Sequence, residues 1–280
     1  MVATATRSQR WRVLRRSPTF WVGSFLVIMW VVFAIFGDFV TAYDPLGTPQ
    51  DVLNRLQPPS SEHWFGTDQL GRDVQSRVLA GARQVLTVAV SATVLGTVFG
   101  TFLGLVIGYF GGIIDDAISR VLDAFLSIPL VITGMLALAA LGPNTLGVII
   151  VIGLVFTPII AKTVRAAVLS ERQLDYVTAA QLRKENALYI LFVEILPNVM
   201  SVVIVEFTVR LGYAIFTVLA LSFLGFGIEP QTPDWGADIF NNYAQMAGGV
   251  WWPVLFPALA IASLVVGVNL LADAISQAFE

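Results

Sequence analysis

Two ionisable residues, Glu206 and Arg210, lie four positions apart inside an apolar run that covers residues 199–224. In a helix this spacing puts the carboxylate and the guanidinium on one face, with the acid first, which is the order that favours an ion pair. A charge surrounded by hydrocarbon is costly unless it pairs or faces a water-filled cavity. The pair therefore indicates either a self-neutralising structural contact or part of a pathway that meets a charged molecule.

A polar segment at residues 175–198 separates two long apolar runs and reads DYVTAAQLRKENALYILFVEILPN. Near its start are two alanines, Ala179 and Ala180, whose small side chains permit close approach by another protein. The segment ends in Leu-Pro-Asn, and the proline predicts that the polar segment stops there, before the next apolar run begins. The pattern indicates a loop between two membrane-embedded helices.

The composition is that of a membrane protein. Apolar residues make up 56% of the 280 residues and charged residues only 12%, against about 25% charged residues in soluble proteins. A helix needs about 20 apolar residues to cross the hydrocarbon core. Six runs meet this length, and the first is longer than the apolar part of a signal peptide, so we expect it to be retained. We predict an all-α polytopic protein with six transmembrane helices at residues 20–40, 85–110, 121–141, 146–167, 199–224 and 251–272.

Lysine and arginine predict the orientation, because they concentrate on the cytoplasmic side. With the N-terminus inside, eleven of the 16 basic residues lie in the cytoplasm and four lie outside, and Arg210 falls within a span. Six spans return the chain to the side on which it began. Both termini and residues 175–198 are therefore expected in the cytoplasm.

Several classes of site lack the residues to build them. The two lysines, Lys162 and Lys184, do not follow the glycine that a phosphate-binding loop requires. With no cysteine and one histidine, His63, the chain cannot form a Cys or His metal cluster, and we expect His63 to be an ordinary loop residue. The net charge of −3 gives no basis for binding nucleic acid. We predict no catalytic, cofactor or metal site, and no enzymatic activity in this chain.

Small residues recur every four positions along the second predicted span. Because four residues slightly exceed one helical turn, they form a slowly winding groove, and such grooves let helix backbones approach closely in lipid. The pattern predicts either static packing or a surface on which helices slide as the protein changes conformation. The residues are Ala92, Gly96, Gly100, Gly104, Gly108 and Gly112.

Two segments outside the spans, residues 41–84 and 227–250, are sizeable. The first ends in a predicted surface helix. The second contains Trp235 and leads into Trp251 and Trp252, which are typical of a belt at the membrane interface. We divide the chain into residues 1–84, with the first span and an external loop, and a core of residues 85–280 that includes the 175–198 loop.

Four segments carry a family resemblance. HWFGTDQLGRDVQSRVLAGAR at 63–83 is similar to an external signature, and GYFGGIIDDAISRVLD at 108–123 to a first cytoplasmic turn. The 175–198 segment is similar to a coupling loop, and LSFLGFGIEPQTPDWG at 221–236 to the end of a fifth span. In this order and spacing they resemble the C-type permease subunit of oligopeptide and dipeptide ABC importers, a family that also includes nickel permeases.

This resemblance implies a type I ABC importer permease fold in the inner membrane, with both termini inside. It implies a homologous B-type permease, two ATPase domains or chains that bind ATP and Mg, an extracytoplasmic substrate-binding protein and the lipid bilayer as partners. Glu206 and Arg210 become candidate pathway residues for peptides. The loop residues expected to couple the chain to an ATPase are Asp175, Tyr176, Thr178, Ala179, Ala180, Lys184, Leu196, Pro197 and Asn198.

Three loop positions depart from the family pattern. Thr178 stands where a glutamate is usual, Lys184 where a glycine is usual, and Glu194 where a histidine or Arg-His is usual. Glycine adopts the left-handed backbone freely and lysine does not. We therefore expect the turn at Lys184 to be longer or differently shaped.

Two alternatives remain open. A nickel permease of the same family would handle a metal, for which one histidine and no cysteine are poorly suited. A self-contained secondary carrier would be expected to show an inverted repeat and broken helices near the midplane. It would also leave residues 175–198 without a function.

Overall fold

The structure is a computed structural model that describes residues 14–47, 53–142, 144–226 and 232–279. Within these ranges the chain forms helices and no strands, which confirms the predicted all-α architecture. We number the helices α1 Pro18–Val40, α2 Val74–Phe110, α3 Gly112–Leu126, α4 Leu130–Leu141, α5 Thr145–Glu171, α6 Asp175–Leu182, α7 Ala187–Phe223, α8 Trp235–Asn242 and α9 Trp252–Phe279.

Helices α1, α2, α5, α7 and α9 are each long and apolar enough to cross a membrane. The total reaches the predicted six only if α3 and α4 count as one span, and these two helices are bent by 84° at their junction. The third span is therefore not the continuous helix predicted at residues 121–141. Pro129 lacks an amide hydrogen and disfavours a helical backbone at the residue before it, so the helix breaks there.

The second span also differs from its prediction, because α2 begins at Val74 rather than at residue 85. The predicted surface helix at residues 73–84 and the second span are one helix of 37 residues. Asp73 caps its start, where the side chain accepts a hydrogen bond from the Ser76 amide at 2.7 Å. The division that we predicted between residues 84 and 85 falls inside this helix.

The glycine groove of α2 forms a close seam with α5. A Cβ atom on Gly96 would lie 2.9 Å from the Gly153 carbonyl oxygen, and one on Gly104 would lie 2.7 Å from the Ala161 carbonyl oxygen. A Cβ atom on Gly108 would lie 2.7 Å from Val168 Cβ. The two backbones nearly touch, which is the close approach that the groove of small residues predicts.

The start of α1 and the end of α9 lie at the same end of the helix bundle. Gly23 near the start of α1 packs against the backbone of Leu271 near the end of α9. This end of the molecule also carries α6, and we call it the α6 end. The opposite end, which carries α8, is the α8 end. The start of α1, the end of α9 and α6 therefore lie at the same end of the helix bundle.

Candidate coupling helix and intramembrane ion pair

The first third of the polar loop is a helix, α6, that joins α5 to α7. Asp175 lies in its first turn, where a carboxylate interacts favourably with the helix dipole. Two residues on one face, Val177 and Ala180, are fully buried and pack with Ile190 and Leu191 of α7. The apolar face of α6 therefore packs against the rest of the protein, and its opposite face is exposed.

The turn after α6 keeps the backbone that a glycine would adopt. Lys184 has a φ of +60°, its amide donates to the Gln181 carbonyl at 2.9 Å, and the Glu185 amide donates to the Ala180 carbonyl at 3.2 Å. These two bonds form a Schellman cap, which normally has glycine at the left-handed position. The expectation of a longer or differently shaped turn was wrong, because the cap hydrogen bonds hold lysine in the strained conformation.

The faces of α6 divide the predicted coupling residues into two groups. Asp175, Thr178 and Ala179 are exposed, whereas Ala180 has no exposed surface and cannot contact a partner. Its three-residue spacing from Val177 puts both on the inner face, a signal that the sequence already contained. Leu182, which we did not select, is 80% exposed and is the most prominent apolar side chain of the outer face.

Tyr176 connects α6 to the end of α5. Its hydroxyl donates to Glu171 Oε2 at 2.6 Å. Burial and this carboxylate both raise the pKa of the Tyr176 phenol, because each disfavours a negative phenolate. The hydroxyl therefore stays protonated at neutral pH and keeps its donor role.

The predicted stop at Leu196, Pro197 and Asn198 is wrong, since all three lie inside α7. The helix begins eleven residues earlier in sequence than Asn198, at Ala187. Proline cannot donate to the carbonyl four residues back and its ring clashes with that carbonyl. The chain accommodates it with a π-helical segment, Ile190–Ile195, whose widened turn is closed by a bond from the Leu196 amide to the Leu191 carbonyl.

Glu206 and Arg210 form the predicted ion pair in the middle of α7. Arg210 Nε lies 2.9 Å from Glu206 Oε2, and the two side chains keep 16% and 14% of their surface exposed. The guanidinium also lies 5.4 Å from the ring centroid of Tyr213, which is itself largely exposed. This chain alone does not seal the pair from its surroundings.

Two of the family-like segments, residues 63–83 and 221–236, meet at the α8 end. Arg77 of α2 is buried beside Asp238 of α8, with Nη2 and Nε at 2.6 and 2.9 Å from the same carboxylate oxygen. Arg77 also donates to the carbonyls of Pro45 and Thr232. Burial raises the pKa of the Asp238 carboxyl and the Arg77 charge acts in the opposite direction.

The tryptophans at this end are mostly internal, which contradicts the predicted interface belt. Trp235 is fully buried and donates to the Val78 carbonyl at 2.9 Å, and Trp252 donates to the Thr67 carbonyl at 3.0 Å. Trp251 alone of the three is exposed as predicted. A buried indole needs a hydrogen-bond acceptor. A carbonyl of α2 supplies it for Trp235, and a carbonyl of the loop that precedes α2 supplies it for Trp252.

His63 is likewise not an ordinary loop residue. It is buried, and its Nδ1 lies 2.9 Å from Asp73 Oδ1, on the residue that caps α2. The residues that the structure describes contain no group of three or more His, Cys, Asp or Glu that could hold a metal ion. His63 therefore organises the external segment around the start of α2.

The turn from α2 to α3 is held by basic residues of α5. Gly111 and Gly112 both have positive φ, at 62° and 58°, as only glycine adopts without strain. Arg172 donates to the Gly108 carbonyl at 3.0 Å, and Arg165 forms two 2.5 Å contacts with Asp115. The turn at residues 108–123, which resembles the first cytoplasmic turn of the family, is therefore bound by hydrogen bonds and an ion pair to the end of α5, just before α6.

Comparison with known proteins identifies two families along the chain. Residues 100–280 match a family described as binding-protein-dependent transport system inner membrane component. Residues 7–59 match the N-terminal transmembrane domain of oligopeptide transport permease C.

Three relatives illustrate the similarity. The dipeptide transport system permease protein DppC of Alkalihalophilus pseudofirmus is 36% identical over 97% of this chain and 88% of its own length. The di/tripeptide transport system permease protein DppC of Pseudomonas aeruginosa is 36% identical, covering 92% and 87%. The glutathione transport system permease protein GsiD of Escherichia coli is 37% identical, covering 96% and 88%.

Proposed function

Because this chain belongs to the family of binding-protein-dependent transport system inner membrane components, we propose that it forms half of a membrane pathway for peptides. It is a multi-pass inner-membrane protein and a C-type permease subunit. The other half of the pathway comes from a homologous B-type permease. Peptides arrive from an extracytoplasmic binding protein at the α8 end, and two ATPase domains or chains, which bind ATP and Mg, act at the α6 end.

The names of the relatives support a peptide as the substrate. Those reported above are permeases for dipeptides, di/tripeptides and glutathione, which are all small peptides. They do not favour nickel. Membership of this family also argues against the alternative of a self-contained secondary carrier.

The observation that carries the proposal is the exposed helix α6 between two spans. Its inner face is apolar and packed, and its outer face presents Thr178, Ala179 and Leu182. A short helix with small residues around one prominent leucine suits insertion into a groove on another protein. ATP binding would close the ATPase pair, move α6 and shift the spans between inward-open and outward-open states.

Single cysteines on the outer face of α6 are expected to cross-link to the co-expressed ATPase. The chain has no native cysteine, so Ala179→Cys and Leu182→Cys each introduce a unique thiol. Both positions are exposed, and both should react in membranes that contain the assembled complex. The measurement is the amount of permease–ATPase adduct on a denaturing gel.

Two controls bracket this test. Ala180→Cys lies on the same helix but faces inward, and Glu62→Cys is exposed at the α8 end. Neither should give the adduct, and only Glu62→Cys should react with an impermeant thiol reagent added outside. Equal cross-linking from Glu62→Cys, or none from Ala179→Cys and Leu182→Cys, would contradict both the coupling role and the N-in, C-in orientation.

We further propose that Glu206 and Arg210 line the pathway and meet the charged ends of the peptide. Their partial exposure indicates that the face of α7 that carries them is completed by another surface, because exposed charges avoid lipid. A peptide has an ammonium group and a carboxylate. Glu206 would attract the first and Arg210 the second as the ion pair opens.

Neutral substitutions in this pair are expected to reduce uptake of a labelled dipeptide about tenfold, the effect of losing one charge-assisted hydrogen bond. In Glu206→Gln the preference for a free over an acetylated amino terminus should fall. In Arg210→Gln the preference for a free over an amidated carboxyl terminus should fall. Uptake by proteoliposomes, divided by the amount of assembled complex, is the measurement.

Phe216→Leu, a change of an exposed apolar residue on the same helix, serves as the control and should transport normally. A purely structural pair would behave differently. Each single variant would then assemble poorly, and the double variant would recover the yield. That pattern, or unchanged preferences for peptide ends, would disprove the pathway role.

A further inference from the structure

Arg183 joins the coupling helix directly to α7. It is the last capping residue of α6, and its Nη2 lies 3.0 Å from Oε1 of Glu194. Glu194 belongs to the π-helical segment Ile190–Ile195. A weaker contact, 3.6 Å, joins Arg183 Nε to Glu185 in the turn between the helices. The ion pair therefore spans from α6 to the one widened turn within the described part of α7.

The rest of α6 is also attached to its neighbours. At its start, Tyr176 donates to Glu171 at the end of α5. Along its inner face, Val177 packs in the same buried cluster as Leu191 and Ile195. A displacement of α6 must therefore move the π segment, the end of α5, or both.

The π segment is a place where α7 can change its winding. A π turn holds one more residue than an α turn, so its gain or loss changes the rotation of the helix beyond it by about 100°. Pro197 has no amide hydrogen and cannot make the usual helical hydrogen bond to the carbonyl four residues back. The Asn198 side chain donates to the Glu194 carbonyl at 2.7 Å. Glu206 and Arg210 lie on the same helix, two to four turns farther along.

From this geometry we propose that Arg183 and Glu194 are positioning residues that transmit the movement of α6 to the π segment of α7. The proposal rests on the coupling function proposed above. The pair does not contact peptide or nucleotide. It determines how far a displacement of α6 by the ATPase turns the part of α7 that carries Glu206 and Arg210.

Charge reversal tests this role. Arg183→Glu and Glu194→Arg each replace attraction with repulsion, and the double variant restores an ion pair in the opposite sense. Half-exposed pairs contribute little to stability, so the yield and the ATPase cross-link at Ala179→Cys should be unchanged. The peptide imported per ATP hydrolysed should fall about threefold to fivefold in each single variant and recover in the double variant.

Glu185→Gln removes only the weaker contact of Arg183 and is the matched control, with an expected import per ATP equal to that of the unaltered complex. A double variant no better than the single variants would overturn the proposal, as would single variants whose import falls only in proportion to their yield. If Ala179→Cys gives no cross-link to the ATPase when Arg183 and Glu194 are unchanged, the coupling function itself is overturned.

Discussion

Replacing Gly104 with valine is expected to abolish accumulation of the folded permease. A Cβ atom at this position would lie 2.7 Å from the Ala161 carbonyl oxygen and 2.7 Å from Val164 Cβ. The obstacle includes backbone of α5, which cannot move aside as a flexible side chain can. Overpacking alone costs about 1–3 kcal/mol, and separating the α2–α5 seam adds the contacts of the whole helix pair. Against a typical total of about 5–15 kcal/mol, we expect less than a tenth of the normal yield of detergent-extracted protein.

Gly248 provides a matched control for this substitution. It lies at the α8 end, has no positive φ, and a Cβ atom there would meet nothing within 4 Å. Gly248→Val should therefore accumulate normally, as should Val98→Leu on the exposed side of α2. Normal amounts of Gly104→Val with an unchanged melting temperature would show that α2 and α5 are not held in a close seam.

Replacing Arg77 with methionine is expected to destabilise the α8 end by about 3–5 kcal/mol, the usual cost of removing one partner of a buried ion pair. The change strands the Asp238 carboxylate, which is 4% exposed, and leaves the Pro45 and Thr232 carbonyls without this donor. The double variant Arg77→Met, Asp238→Leu should recover much of the loss, because no charge is then buried alone. The melting temperature of the purified complex measures each effect.

Arg55 supplies the control for loss of a basic residue from the same external segment. Its side chain is exposed, so Arg55→Met should change the melting temperature little. If Arg77→Met melts like Arg55→Met, or if the double variant is no more stable than the single variant, the buried pair does not hold α8 against α2.

The coupling segment shows how far local sequence reasoning reaches. The polar stretch at 175–198 was identified correctly as the site of a break between spans, because polarity is a property of neighbouring residues. The break itself ends at residue 186, and residues 187–198 belong to α7. The left-handed backbone at Lys184 was not predicted, since it depends on two cap hydrogen bonds that outweigh the preference of the residue itself. The inward face of Ala180 could have been predicted from its spacing with Val177. The π segment could not, because Pro197 indicates a missing hydrogen bond but not that α7 continues through it with a widened turn.

The external motifs show what local sequence reasoning cannot reach, namely contacts between distant segments. Residues 63–83 and 221–236 were recognised separately, but their sequences do not reveal that they form one unit. Arg77 and Trp235 each bond a carbonyl of the other motif, at Thr232 and Val78. Asp238, the partner of Arg77, lies 161 positions away and just beyond the second motif, and either charge could have been a solvated surface charge. Trp235 and Trp252 were assigned to the membrane interface on composition alone, whereas packing against α2 and against residues 66–67 placed the two rings inside.

The sequence by itself determined the membrane class, the order of the apolar runs, the start of the polar segment after α5 and the Glu206–Arg210 pair. Each of these depends on residues within about one span of one another, where hydrophobicity and helical spacing suffice. The tertiary structure decided which helices touch, which face of α6 is free, and where α3, α4 and α7 depart from regular helix. Those outcomes depend on atoms brought together from distant positions, whose steric fit and hydrogen bonds exist only once the helices have packed.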